Sequence, residues 1–215
     1  MSELAPPPAA IIFDYGGVLT VDRVSLAILG GYERLLGWAP GTLASRLLSG
    51  PTWEAATRGE LTVAEYWQRV GQELEPHLPP AFARFRDGPF TSEPMNPAMV
   101  ALVHELQPHY RLALCSNALI TLRAELEAQP ALLAAFAAVV ISAEVGLRKP
   151  DPRIYELTAQ RLGVPLASCL LIDDKPRNTS VAQALGMKAI TFVSAEQTRA
   201  ELGRLGVCLA EMKRR

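Results

Sequence analysis

Cysteine is scarce. The 215-residue chain has three, Cys115, Cys169 and Cys208, an odd number with no Cys-x-x-Cys spacing. That excludes a disulfide framework or a structural zinc site as the organising device, and the thiols are expected to lie buried in a reducing cytoplasm. The three histidines, His77, His104 and His109, stand at no metal-ligand spacing either. Long hydrophobic runs are missing too: the longest, Ala131 to Ile141, falls well short of the ~20 residues that cross a bilayer. The first ten residues hold no Lys or Arg ahead of an apolar stretch, so neither a signal peptide nor a membrane anchor is expected. Net charge is nearly absent, formally −1 with a pI near 6.3, so the molecule as a whole offers no cationic field for nucleic acid or acidic lipid. What is present, 49% hydrophobic and 20% charged residues, is the balance of a globular protein with room for a large core.

Pro6, Pro7 and Pro8 make the first residues a poor start for regular structure, and they are expected to fray. Five short apolar runs then recur between helical stretches: Ala10 to Asp14, Arg111 to Cys115, Ala138 to Ser142, Cys169 to Asp173 and Lys188 to Val193. Runs of this length rich in Ile, Leu and Val suit strands covered on both faces of a parallel sheet. Asp151 before Pro152 opens a helix that Gly163 stops, and Thr179 to Leu185 stops likewise at Gly186. The rhythm predicts a three-layer α/β sandwich of Rossmann-like type, built on a five-stranded parallel sheet.

The stretch between Asp14 and Arg111 is too long for one crossover. Its apolar spacing is helical over Leu26 to Leu36, Leu43 to Leu48 and Val63 to Leu74, and Thr62 with Glu65 reads as a capping box. A small all-helical cap is therefore expected at residues 22–88, inserted after the first strand, with 1–21 and 89–215 forming the core and Met95 to Leu106 returning to it as a helix. Trp38, Trp53 and Trp67 are expected to pack inside the cap. Arg58, beside Gly59 and Glu60 at a turn of the cap, could face the site, with a solvated turn the favoured expectation.

Ligands of open parallel sheets bind off the carboxyl ends of the strands. Strand one ends in Asp14-Tyr15-Gly16-Gly17, strand two in Ser116-Asn117 and strand four in Asp173-Asp174. Acidic groups converging at one edge repel unless a cation sits among them, and hard oxygen ligands suit Mg²⁺. Lys149 follows strand three and can reach the same edge, where its ammonium would offset the carboxylates and hold a phosphate oxygen.

Four segments in order, Ile11-Ile12-Phe13-Asp14-Tyr15-Gly16-Gly17-Val18, Ser116-Asn117, Lys149-Pro150 and Ile172-Asp173-Asp174 with Asn178, resemble the motifs of the haloacid dehalogenase superfamily of hydrolases. The likeness spans nearly the whole chain and is weakest in the cap. It is nearest to the branch with a helical cap, subfamily IA, that holds bacterial glucose-1-phosphate phosphatases and the phosphatase domain of soluble epoxide hydrolase. The resemblance implies strand order 5-4-1-2-3 and a phosphatase acting on a small phosphorylated metabolite, a sugar phosphate or similar, as a monomer or homodimer. Asp14 would attack phosphorus to give an aspartyl-phosphate that water hydrolyses. Mg²⁺ would be held by Asp14, the Gly16 carbonyl and Asp174, with Asp173 direct or one shell out. Ser116, Asn117, Lys149 and Gly17 would surround the phosphate, and Asn117 and Asn178 would also hold their loops.

One departure matters. Most phosphatases of the superfamily carry a general acid two residues after the nucleophile, where this chain has Gly16, and losing such a group costs about 10²- to 10⁴-fold in rate. Three outcomes follow: another group such as Asp22 or a water supplies the proton, the leaving group is a good one, or catalysis has been abandoned in favour of a phosphate- and metal-binding module. A 2-haloacid dehalogenase is a further alternative, for which an aromatic residue at the Gly16 position and fewer acids after strand four are expected.

Overall fold

The computed structural model describes residues 6–21, 23–74, 77 and 94–209. Its frame is five parallel strands, β1 (Ala10–Phe13), β2 (Arg111–Ser116), β3 (Ala138–Ile141), β4 (Cys169–Asp173) and β5 (Lys188–Thr191), in the order β3-β2-β1-β4-β5. This is the expected sheet in the expected order. Alternate side chains of one strand feed opposite cores. Ile11, Phe13, Leu112, Leu114, Leu170 and Ile172 face one side, and Ala10, Ile12, Ala113, Cys115, Cys169 and Leu171 the other.

On the first side lie α5 (Pro97–Leu106), α6 (Leu122–Glu127), the short α7 (Pro130–Leu133) and α11 (Ala195–Arg204). On the second lie α9 (Pro152–Leu162) and α10 (Pro176–Ala184). The four-residue α8 (Ser142–Val145) follows β3 directly. Burial on both faces explains why the strands read as unbroken apolar runs.

Several limits differ from the sequence expectation. The helix expected from Met95 starts at Pro97, because Asn96 caps it by accepting from the Met99 N–H while Thr20 and Met95 pair as an isolated bridge. The helix expected from Thr179 starts at Pro176, a residue suited to the first helical position. The Ala131 to Ile141 run divides into α7 and β3.

Among the described residues between β1 and α5 lie the helices α1 (Arg23–Leu36), α2 (Thr42–Leu48), α3 (Gly50–Thr57) and α4 (Val63–Leu74). The apolar spacing gave no sign of α3, whose Gly50-Pro51 start looks like a break. Proline is tolerated there because the first turn needs no N–H donor. The capping box is present, with the Thr62 hydroxyl 3.2 Å from the Glu65 N–H and the Glu65 carboxylate 2.8 Å from the Thr62 N–H. Leu29, Leu43, Leu47, Ala56, Tyr66, Val70 and Leu74 form a third core, lined by Trp38, Trp53 and Trp67 as packing residues. Buried Glu33 ties α1 to α2 by accepting from the N–H groups of Gly41 and Leu43, at 2.8 and 2.7 Å. The expected boundaries of the insertion, residues 22 and 88, lie outside the described residues.

Among the described residues, the helical insertion meets the sheet domain through Leu119, through Gly59 and through an Arg148–Glu54 ion pair. Leu119, in the loop after β2, packs against the insertion's core. Gly59, at φ +72°, lies so close to the start of α8 that a Cβ would stand 2.3 Å from the Ala143 carbonyl oxygen. No side chain fits there. Gly59→Ala is expected to lower the unfolding free energy by about 1–3 kcal/mol in urea titration, and an unchanged midpoint would show that this turn is not docked.

Candidate active site

The sheet register brings the polar ends together. Phe13 pairs with Leu114 and with Ile172, so Asp14 leaves the sheet level with Asp173, and the Asp14 N–H continues the ladder to the Ile172 carbonyl at 2.9 Å. Ser116 is the last residue of β2, paired with Ile141 of β3. Lys149 comes from the loop after α8, which is held by a reciprocal pair: the Lys149 N–H donates to Asn117 Oδ1 at 2.7 Å and Asn117 Nδ2 donates to the Lys149 carbonyl at 2.8 Å. Asn117 thus fixes one loop by acting as the backbone partner of another.

The centre of the site is ionic and buried. Lys149 Nζ lies 2.9 Å from Asp14 Oδ1 and 2.6 Å from Asp173 Oδ2, and the lysine is 1% exposed. Both contacts of the Asp14 carboxylate, from Lys149 and from the Tyr15 N–H at 2.7 Å, fall on Oδ1. Asp173 is fully engaged, since Asn178 Nδ2 donates to it at 2.9 and 3.0 Å and the Lys175 N–H at 2.9 Å. Asp174 faces Lys175 Nζ at 2.7 Å through Oδ2, while its Oδ1 is buried without a partner. A buried, unsatisfied carboxylate oxygen is costly unless something absent from the protein itself meets it.

Burial would depress the Lys149 ammonium, but Asp14 and Asp173 outweigh it and hold it above its ordinary value. Burial also works to raise Asp173, yet Lys149 and the hydrogen bonds bring it below the usual range. Asp14 is pushed up to about 7, by burial first, against the pull of Lys149 and with Asp173 and Asp174 adding to the rise. Asp14, Asp173 and Asp174 each place an oxygen within 4.8 Å of the others. Three anionic oxygen donors and one orphaned atom fit a hard divalent cation such as Mg²⁺.

Of the residues singled out from sequence, Asp14, Ser116, Asn117, Lys149, Asp173 and Asp174 converge on this edge. Gly17 also belongs here: at φ +75° its Cα faces the Asp174 carboxylate, and a Cβ would stand 2.9 Å from Oδ2. Gly16 is different, with no positive φ and nothing within 4 Å of a Cβ built on it. Asp22 lies outside the described residues. Sequence reasoning missed Lys175, which pairs with Asp174, and Ser142, whose hydroxyl accepts from the Ala118 N–H at 3.0 Å and steadies the loop after Ser116. Lys175 directly follows the acidic pair, a signal that was available; Ser142 carries none.

A family model described as haloacid dehalogenase-like hydrolase matches residues 8–186, far more than half of the chain. The chain belongs to the haloacid dehalogenase-like hydrolases. Among curated relatives of this hydrolase, a sesquiterpene phosphatase of Aspergillus oryzae is 27% identical over 93% of the chain and 97% of its own length. A phosphatase of Mycobacterium tuberculosis is 28% identical over 94% and 96%. The mouse protein named acyl-CoA dehydrogenase family member 10 is 29% identical over 91% of the chain, which spans only 19% of that protein. A family enzyme of Bacteroides thetaiotaomicron, solved with magnesium and inorganic phosphate, shares the fold at TM-score 0.63 and 20% identity, covering 86% of this chain and 93% of its own. L-2-haloacid dehalogenase of Xanthobacter autotrophicus shares it equally, at TM-score 0.63 and 20% identity over 94% and 84%.

The raised Asp14 carboxyl gives a pH test of whether the acidic cluster of this haloacid dehalogenase-like hydrolase holds a cation. Below about pH 7 the cation-free protein holds a proton there that Mg²⁺ must displace. Apparent Mg²⁺ affinity in titration calorimetry is expected to fall about tenfold per unit as pH drops below that value, and to level off above it. A pH-independent affinity would place the cation elsewhere.

Proposed function

We propose that this hydrolase is a Mg²⁺-dependent phosphatase of small phosphate esters that forms an aspartyl-phosphate on Asp14. The observation that carries this reading is the buried Asp14–Lys149–Asp173 array, with the partnerless Asp174 oxygen beside it. Three carboxylates stand against the two ammonium groups of Lys149 and Lys175, leaving a surplus of negative charge that would repel a phosphate dianion. A divalent cation, held by Asp14, Asp174 and the Gly16 carbonyl, would reverse that sign and draw charge from the phosphoryl oxygens. Asp173, already satisfied by Lys149, Asn178 and the Lys175 N–H, serves as the group that orients Lys149. The relatives named as phosphatases point the same way.

The free side of the Asp14 carboxylate attacks phosphorus, and the bond to the leaving oxygen breaks with its electron pair going to that oxygen. Water then attacks the phosphorus of the aspartyl-phosphate, which frees inorganic phosphate and returns the carboxylate. Lys149 has three N–H donors; two are committed to Asp14 and Asp173, and the third is left for a phosphate oxygen beside the Ser116 hydroxyl. Residues 22–88 would close over the site as a cap, exclude water from the ester and choose the substrate.

Asp14→Asn keeps the shape of the side chain and removes its nucleophilic charge. It is expected to fold and to lose at least about 10³-fold in turnover of p-nitrophenyl phosphate in the presence of Mg²⁺. Near-normal turnover in that variant would sink the covalent route.

The space at Gly16 permits a second test. Gly16→Asp is expected to fit without strain, and to raise turnover of alkyl phosphates, which leave poorly, by at least about tenfold relative to aryl phosphates. An equal effect on both classes would mean that a proton donor is already present.

A further inference from the structure

Next to the catalytic lysine, the structure gathers arginines that the chemistry above does not use. Arg148 immediately precedes Lys149, and its side chain is only 14% exposed. Its guanidinium reaches across to the helical insertion, where Nη1 lies 3.1 Å from Glu54 Oε1 on α3, while its Nε is buried without a partner. Arg58, one turn beyond Glu54, approaches the other oxygen of the same carboxylate at 3.8 Å and Glu60 at 2.7 Å. Arg177 stands at the second position of α10, where a cation opposes the helix dipole. Burial holds the Arg148 guanidinium below its ordinary value; Glu54 opposes that, and the nearness of Arg177 and Arg58 adds to it.

At this rim three arginines thus stand against the two carboxylates of Glu54 and Glu60, and the surplus cation at half-buried Arg148 carries a cost that a further anion would remove. Glu54 shows what the rim holds, since its carboxylate sits between Arg148 and Arg58 from the two sides of the junction. Its side chain is 41% exposed, so it can leave and let another anion take its place.

Building on the phosphatase reading, we propose that Arg148 and Arg58 bind a second anionic group, a carboxylate or a phosphate, on the leaving-group side of the substrate. The substrate class is then a phosphate ester whose alcohol half is itself an anion. The two arginines decide specificity and stand apart from the transferred phosphoryl group. Guanidinium groups suit this task because their planar N–H forks match carboxylate and phosphate oxygens.

The test compares matched esters on the full chain with Mg²⁺. 2-Phosphoglycerate is set against glycerol 2-phosphate, which replaces the carboxylate by a hydroxymethyl group, and propane-1,3-diol bisphosphate against 3-hydroxypropyl phosphate. At least one anionic member is expected to be preferred in kcat/KM by about tenfold or more, and which pair shows it identifies the anion. Arg148→Gln and Arg58→Gln are expected to reduce that preference towards unity through KM. Glu54→Gln decides between an anion site and a mere latch between insertion and core. Removing the competing carboxylate is expected to strengthen the preference, whereas a latch would make it fall as in Arg148→Gln, and that fall would overturn the proposal. Turnover of p-nitrophenyl phosphate without preference in either pair would overturn the proposal and leave the phosphatase standing; no turnover of any ester would remove both.

Discussion

Everything at the carboxyl edge of the sheet depends on one buried ammonium. Lys149 is enclosed between Asp14 and Asp173, and removing either partner of such an array typically costs about 3–5 kcal/mol because a bare charge is left behind. The positions of its neighbours follow from that need. The parallel register sets Asp14 and Asp173 level on adjacent strands, Asn117 clamps the Lys149 backbone, and Asn178 at the start of α10 turns the Asp173 carboxylate towards the lysine. An edge built this way needs no rearrangement to present its charge, which is the sense in which its electrostatics are preorganised.

The core of this arrangement was legible in the sequence because its signals are local. Strands covered on both faces must be continuously apolar, and a run such as Cys169 to Ile172 followed at once by two aspartates leaves few readings. The helix ends at Asp151 and Gly163 and the capping box at Thr62 are equally local. What stayed hidden depends on distant chain segments meeting. Arg148 finds Glu54 across the junction, Gly59 is a glycine because Ala143 stands over it, and Ser142 matters because the loop after Ser116 passes beside it. None of those contacts has a spacing, so sequence left Arg58 between facing the site and a solvated turn, favouring the turn, and gave Arg148 no role. The α3 helix was lost for a related reason: Gly50-Pro51 is a break signal in isolation, and it is overridden when Ala56 and Thr57 can be buried against neighbouring helices.

Gly16 and the arginine rim bear on the same question from opposite sides. The position two residues beyond Asp14 has neither a backbone requirement for glycine nor a neighbour that a Cβ would strike. Packing therefore does not explain the absent side chain, and on the proposed mechanism the open space there would be left to the leaving group. Charge is unevenly spread over the described residues, negative where Asp14, Asp173 and Asp174 meet and positive where Arg148, Arg58 and Arg177 come near one another. If the arginines adjoin the substrate as proposed, a divalent cation among the carboxylates would make both ends of the site attract anions. An ester charged at both ends would then be held at two points, which aligns its phosphorus with Asp14 more firmly than a single phosphate contact can. Orientation of that kind lowers the barrier for a substrate of the right length and does nothing for a shorter one, so a rim of this kind would select among esters that the buried lysine treats alike.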